Sequence, residues 1–213
     1  MLLLLLVLAA NEGGILEARL EATVDDRPDV AVRLAYRIEP STRDAISFSA
    51  LEIGGVGIGE VEASASGTSI PVELEPRTGP KREGSILLPR GTDAFERRDV
   101  VRGGAQQKDG GLRVRLPCAV LDLKLTETRT GLFSSAVALP EGMRVVDGYP
   151  AQSVVGEGGA FQWDLPLVPA FLSFRASTGA VLFTPPRMAT LAVLILLLSV
   201  GVVGVRRART LRP

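Results

Sequence analysis

The chain contains no histidine. That absence removes Ser-His-Asp and Cys-His nucleophile systems and every zinc or iron site that needs an imidazole ligand. Cys118 is the only cysteine, so no intrachain disulfide can form, and stability must come from packing. It lies in the apolar run Leu116–Leu121, reads as a small buried hydrophobe, and is too far from the N-terminal apolar segment to carry a lipoprotein's lipid. Lysine is almost as scarce, with 3 against 21 arginines, which points to a GC-rich bacterial genome and not to a function. No stripe of basic residues exists, so nucleic acid is not expected as a partner. No soluble amphipathic helix and no cofactor motif stand out either.

Two apolar segments of different lengths stand at the ends, Leu2–Ala10 and Met188–Val205. The second is 18 residues without a charge, about 27 Å as a helix against a hydrocarbon core of roughly 30 Å. Residues 188–205 are therefore expected to form one transmembrane helix. Arg206, Arg207, Arg209 and Arg212 follow it, against Arg187 alone on the other flank, and this asymmetry places the tail 206–213 in the cytoplasm and the body outside. The first segment is too short to span, and small residues at Val7–Ala10 suit cleavage, so residues 1–10 read as a signal peptide. No Lys or Arg precedes it, which keeps an uncleaved anchor as the alternative. The expected location is a bacterial inner membrane, crossed once.

Residues 11–187 carry all 24 acids and all but four of the basic residues, a net charge of −4 with the signs interspersed. Leu16, Ala18, Leu20, Ala22 and Val24 alternate with polar residues, and so do Val30, Val32, Leu34, Tyr36 and Ile38. A period of two sorts these onto one face of a strand, and the turn signal Asp25–Asp29 between them predicts an antiparallel hairpin. Further strands are predicted at 46–53, 58–64, 68–74, 85–88, 112–116, 120–125, 132–139, 143–146, 160–165 and 171–176. The stretch Arg102–Gly111 lacks apolar periodicity and reads as a long loop, with a candidate subdomain boundary over 91–111. A dozen short strands with turn signals between them predict a mainly β fold, an antiparallel, immunoglobulin-like β-sandwich over 11–184, as one large or two small sandwiches. The Cys, Trp, Cys arrangement of true immunoglobulin domains is missing, so Trp163 reads as a core aromatic.

Few constellations suggest chemistry. Gly54, Gly55, Gly57 and Gly59 lack the Lys-Ser or Lys-Thr of a phosphate loop and precede a strand, so they read as a turn. Asp25, Asp26 and Asp29 offer oxygen ligands for calcium, but without the EF-hand spacing they read more simply as a solvated turn. Lys81, Lys108 and Lys124 sit in polar contexts where a Ser-Lys dyad would find no desolvated base. Pro185-Pro186, the apolar run and the terminal arginines together resemble the three-part sorting signals of bacterial transpeptidase-like enzymes. That resemblance implies a processed anchor, but no LPxTG or Pro-Glu-Pro motif is present and a permanent span is favoured. The expectation is a non-enzymatic, membrane-anchored binding or accessory module for an envelope or membrane protein partner. The alternatives are an envelope hydrolase using carboxylates or a Ser-Lys pair, and a calcium-dependent adhesion or carbohydrate-binding module.

Overall fold

The computed structural model describes residues 14–77, 79–108, 110–125, 131–150, 154–155 and 161–178. The expected signal peptide, transmembrane helix and tail arginines lie outside the described residues. Among those described there is no helix, and so none long and apolar enough to cross a membrane.

Alternation builds the first hairpin. β1 (Gly14–Thr23) buries Ala18, Leu20 and Ala22, and β2 (Val30–Ile38) buries every second residue from Val30 to Ile38. The two pair antiparallel with Leu20 opposite Leu34. A register shift between Ile15 and Glu17 reverses the phase at the start, so that Ile15 is buried and Leu16, expected inside, is only half-buried.

The chain continues through β3 (Ile46–Leu51), β4 (Gly57–Ala65), β5 (Thr68–Ile70), β6 (Val72–Leu74), β7 (Lys81–Ile86), β8 (Ala94–Arg102) and β9 (Ala105–Lys108). Then come β10 (Gly111–Pro117), β11 (Val120–Leu121), β12 (Lys124–Leu125), β13 (Phe133–Ala138) and β14 (Arg144–Tyr149). β15 (Val154–Val155), β16 (Phe161–Leu165) and β17 (Phe171–Ser177) complete the order. The largest sheet runs β15-β16-β13-β1-β2-β8-β4-β5, with β12 also paired to β1. Two four-stranded sheets, β14-β17-β10-β9 and β11-β3-β7-β6, present their apolar sides to it. Trp163 of β16 meets Phe174 of β17 at 5.5 Å between ring centroids, and Arg97 of β8 lies 3.9 Å over the ring of Phe48 on β3. The fold is thus mainly β, with chiefly antiparallel sheets layered in a sandwich-like way. The exceptions to antiparallel pairing are β12 and β13, which both run parallel to β1.

Two stretches differ from expectation. Residues 68–74, expected as one strand, are split at Pro71, which has no N–H to give a ladder. β5 before it pairs with β4 in the large sheet, whereas β6 after it pairs with β7 in a small one. Residues 102–111, read as a long loop, hold the end of β8 and all of β9, and β8, which falls within the candidate boundary 91–111, lies inside the large sheet between β2 and β4. Its alternation was hidden because the inward positions are Phe95, Arg97, Asp99 and Val101, two of them charged.

Arg97 and Asp99 have no exposed side-chain surface, and the Arg97 Nε donates to the Asp99 Oδ1 at 2.7 Å. Burial pushes the Asp99 carboxyl above the usual carboxylate range, with Arg97 pulling the other way. Among the described residues the remaining guanidinium nitrogens and the Asp99 Oδ2 have no hydrogen-bond partner, so the Phe48 face supplies much of what solvates this cation. Phe48 can lie there because the residue opposite it is Gly84, where a Cβ would stand 2.8 Å from the ring and 2.5 Å from the Glu73 carbonyl oxygen.

Leu34 is fully buried, so Leu34→Asp must desolvate a carboxylate without a partner, and loss of the β-type circular dichroism spectrum is expected. Asp99→Ala leaves the Arg97 charge unpaired and is expected to lower stability in urea unfolding by about 3–5 kcal/mol. The double change Arg97→Met with Asp99→Val should come out neutral or up to about 4 kcal/mol more stable than the native pair. Equal damage from single and double variants would show that the pair is not coupled.

Candidate functional site

The outward face of the large sheet is where the strands bring charged residues from distant parts of the sequence together. Ala136, Glu21, Arg33, Arg98 and Glu62 stand opposite one another in a row across β13, β1, β2, β8 and β4. The next row, Ala138, Thr23, Ala31 and Val100, is small and mostly apolar. Where that row would reach β4, a register shift between Ile58 and Val61 interrupts the ladder and brings Glu60 to the rim. The two rows and Glu60 line a cleft of about 630 Å³. A second depression of about 520 Å³ shares Glu62 and Arg98 with it and runs on toward Ser66 and Ser69.

Arg33 and Arg98 face each other directly, an arrangement that repels unless a carboxylate intervenes. Glu96 intervenes: its Oε2 lies 2.6 Å from Arg33 and its Oε1 2.7 Å from Arg98. Arg33 also reaches Glu21 at 3.1 Å, and Arg19 reaches Glu21 at 2.9 Å. The hydrogen bond from Arg33, joined by the one from Arg98, holds the Glu96 carboxyl below its usual range. Held ionised, Glu96 is an acceptor with no proton to give. Glu60 and Glu62 are exposed, and neither has an ion-pair partner among the described residues. The cleft therefore joins a floor of small side chains to Glu60 and Glu62 on one wall, Glu62 opposite Arg98 and neither in an ion pair among the described residues.

The residues singled out from sequence lie elsewhere and are occupied locally. The Asp25 Oδ1 accepts the Arg27 backbone N–H at 2.8 Å in a side-chain-closed turn, and the Asp29 Oδ1 accepts the Gly103 N–H at 2.9 Å. Asp26 is exposed in the same turn. Among the described residues no group of three or more Asp, Glu or Cys is arranged to hold a metal ion. Gly54 and Gly55, with φ of 67° and 83°, make a turn that leads into a strand. Lys81, Lys108 and Lys124 are exposed. Cys118 is fully buried, and burial pushes its thiol up and away from reactive thiolate chemistry. The cleft residues carry no signal in the sequence because each is an ordinary outward position; only the register joins them.

No protein-family profile matches the chain, and no curated protein matches it by sequence. Solved structures share the fold. Yeast leukotriene A4 hydrolase in complex with bestatin aligns over 78% of this chain with a TM-score of 0.51 and 14% identity. A putative nutrient binding protein from Legionella pneumophila aligns over 80% with a TM-score of 0.51 and 11% identity, and 68% of that chain is covered. The chain spans only 29% of the length of the yeast enzyme. At such identities the likeness is one of fold alone.

The Glu96 carboxyl is expected to titrate below its ordinary 4.5 in a carbon-detected NMR titration. Because its folded value is depressed, the stability it contributes is present above 4.5 and is lost as pH falls through the folded value. Arg33→Gln should move the midpoint back toward 4.5, and an unmoved midpoint would refute the bridging role of Arg33.

Proposed function

We propose that this protein is a non-enzymatic, single-pass membrane protein whose single immunoglobulin-like sandwich lies outside the inner membrane and binds a protein partner of the envelope. The observation that carries this reading is the cleft on the outward face of the large sheet. Its floor is Ala31, Val100, Ala136 and Ala138, and Glu60 and Glu62 on its wall have no ion-pair partner among the described residues. Small floor residues admit a partner's side chains close to the backbone, and unpaired rim carboxylates select a partner presenting cations there. The membrane part rests on the uncharged run 188–205 and the arginines that follow it. The fold likeness is compatible with a module, since in the yeast enzyme the same architecture is part of a much longer chain. The calcium alternative draws no support from Asp25 and Asp29, whose oxygens already serve the backbone.

Photo-crosslinking in native membranes tests the reading. A benzophenone side chain at Ala31 or Ala138 should yield a discrete adduct with a membrane protein, and one at Glu73, an exposed position on β6, should not. Glu60→Lys with Glu62→Lys should abolish the adduct while leaving the folded spectrum intact. Adducts that form equally from all positions, or that survive the charge reversal, would overturn the cleft as the binding face.

A further inference from the structure

The sheet β14-β17-β10-β9 turns Leu112, Val114, Leu116, Leu172, Phe174 and Ala176 inward. Its outward side is different in kind. Arg113 stands opposite Arg175, and Arg175 opposite Asp147; one row further, Arg144 stands opposite Ser177, and Lys108 opposite Gly111. Arg115 extends the same face in the other direction, opposite Ser173, which in turn faces Tyr149. The four strands thus hold five cations and one acid, in a body whose net charge is −4.

The single acid does not balance the face. Asp147 pairs with Arg175 at 2.9 Å, and Arg115 donates to the Gly54 carbonyl. Arg113, Arg144 and Lys108 have no ion pair among the described residues. Arg113 and Arg175, like charges directly opposed on neighbouring strands, repel each other and favour any anion that settles between them. They line a cleft of about 400 Å³ with Arg115, Asp147, Ser173 and Tyr149. Tyr149 is 68% exposed, an amphipathic ring of the kind found at the level of lipid headgroups.

The position of this face along the chain supplies the occupant. β17 is the last strand among the described residues, and the cations crowd its C-terminal end: Arg144 lies opposite its final residue, and Arg175 is two residues before it. Only residues 178–187 separate that end from the uncharged run, a reach of at most about 40 Å when fully extended. A bilayer that holds Met188–Val205 is therefore never far from these arginines, at an effective concentration that a tether of this length keeps high. We infer that the outward face of this sheet binds the phosphate groups of anionic phospholipid headgroups and lays the body against the membrane. This inference rests on the anchored reading given above.

The test uses the full chain in nanodiscs of phosphatidylcholine, with or without about one part in three of phosphatidylglycerol, and reads amide hydrogen exchange. Peptides covering β10, β14 and β17 should exchange about tenfold more slowly in the anionic discs, and peptides from β4 and β8 should not change. Arg113→Gln with Arg175→Gln should remove the difference, and Arg113→Lys with Arg175→Lys should keep it, which separates loss of charge from loss of fold. Equal exchange in both discs overturns the inference. The same slowing produced by inorganic phosphate in neutral discs overturns the headgroup as occupant. A chain that enters neither disc refutes the anchored reading on its own. Flotation with phosphatidylglycerol vesicles then decides the face separately: flotation lost in the Gln pair sustains headgroup binding, and its absence ends it.

Discussion

Arg97 is held where water cannot reach it, and much of the molecule is arranged around that fact. An isolated guanidinium in such a place would be prohibitive, so Asp99 two residues along the same strand and the face of Phe48 from a different sheet stand in for solvent. The contact ties β8 to β3, and so ties the large sheet to one of its two covers. It also constrains sequence at a distance: Gly84 has to lack a side chain for the Phe48 ring to occupy its place. Tyr36, stacked on Phe95 at 5.1 Å, closes the same region and donates its hydroxyl to the Ala119 carbonyl. Burial pushes the pKa of Tyr36, Asp99 and Cys118 up alike and so favours the neutral form of each, one low-dielectric pocket acting on three chemistries.

The core is gathered on one side of the large sheet, and among the described residues the other side faces outward. That side is patterned in rows, one charged and one of small residues, and Glu96 neutralises the two arginines that the register brings face to face. The outer side of the β17 sheet carries the opposite imbalance. One molecule thus presents surplus carboxylates on one surface and surplus cations on another, although its overall charge gives no hint of either.

The first hairpin was legible from residues alone, since Leu20, Leu34 and their neighbours alternate cleanly and the bulge at Ile15 shifts the pattern by only one place. β10 was equally plain, with Leu112, Val114 and Leu116 against Arg113 and Arg115. β8 was not, because hydrophobic periodicity assumes that inward means apolar and here Arg97 and Asp99 point in. Pro71 hid a different fact: a proline was visible, but not that the chain changes sheets across it. The cleft was the least legible of all. Glu21, Arg33, Glu62 and Arg98 come from four strands, and their meeting depends on β8 being placed correctly and on registers that no local pattern encodes.

The parallel pairing of β1 with β13 has a consequence in time. Ala18 is partnered by Phe133, more than a hundred residues downstream, so β1 can complete only its antiparallel edge with β2 early in synthesis. Its other edge stays an open ladder of donors and acceptors until β13 has been made. Such an edge is a template for any extended chain that meets it first, and closing so long a loop is among the slower steps available to a β protein. β1 is thus made well before its second edge can be closed, and the interval between those events leaves it open to mispairing.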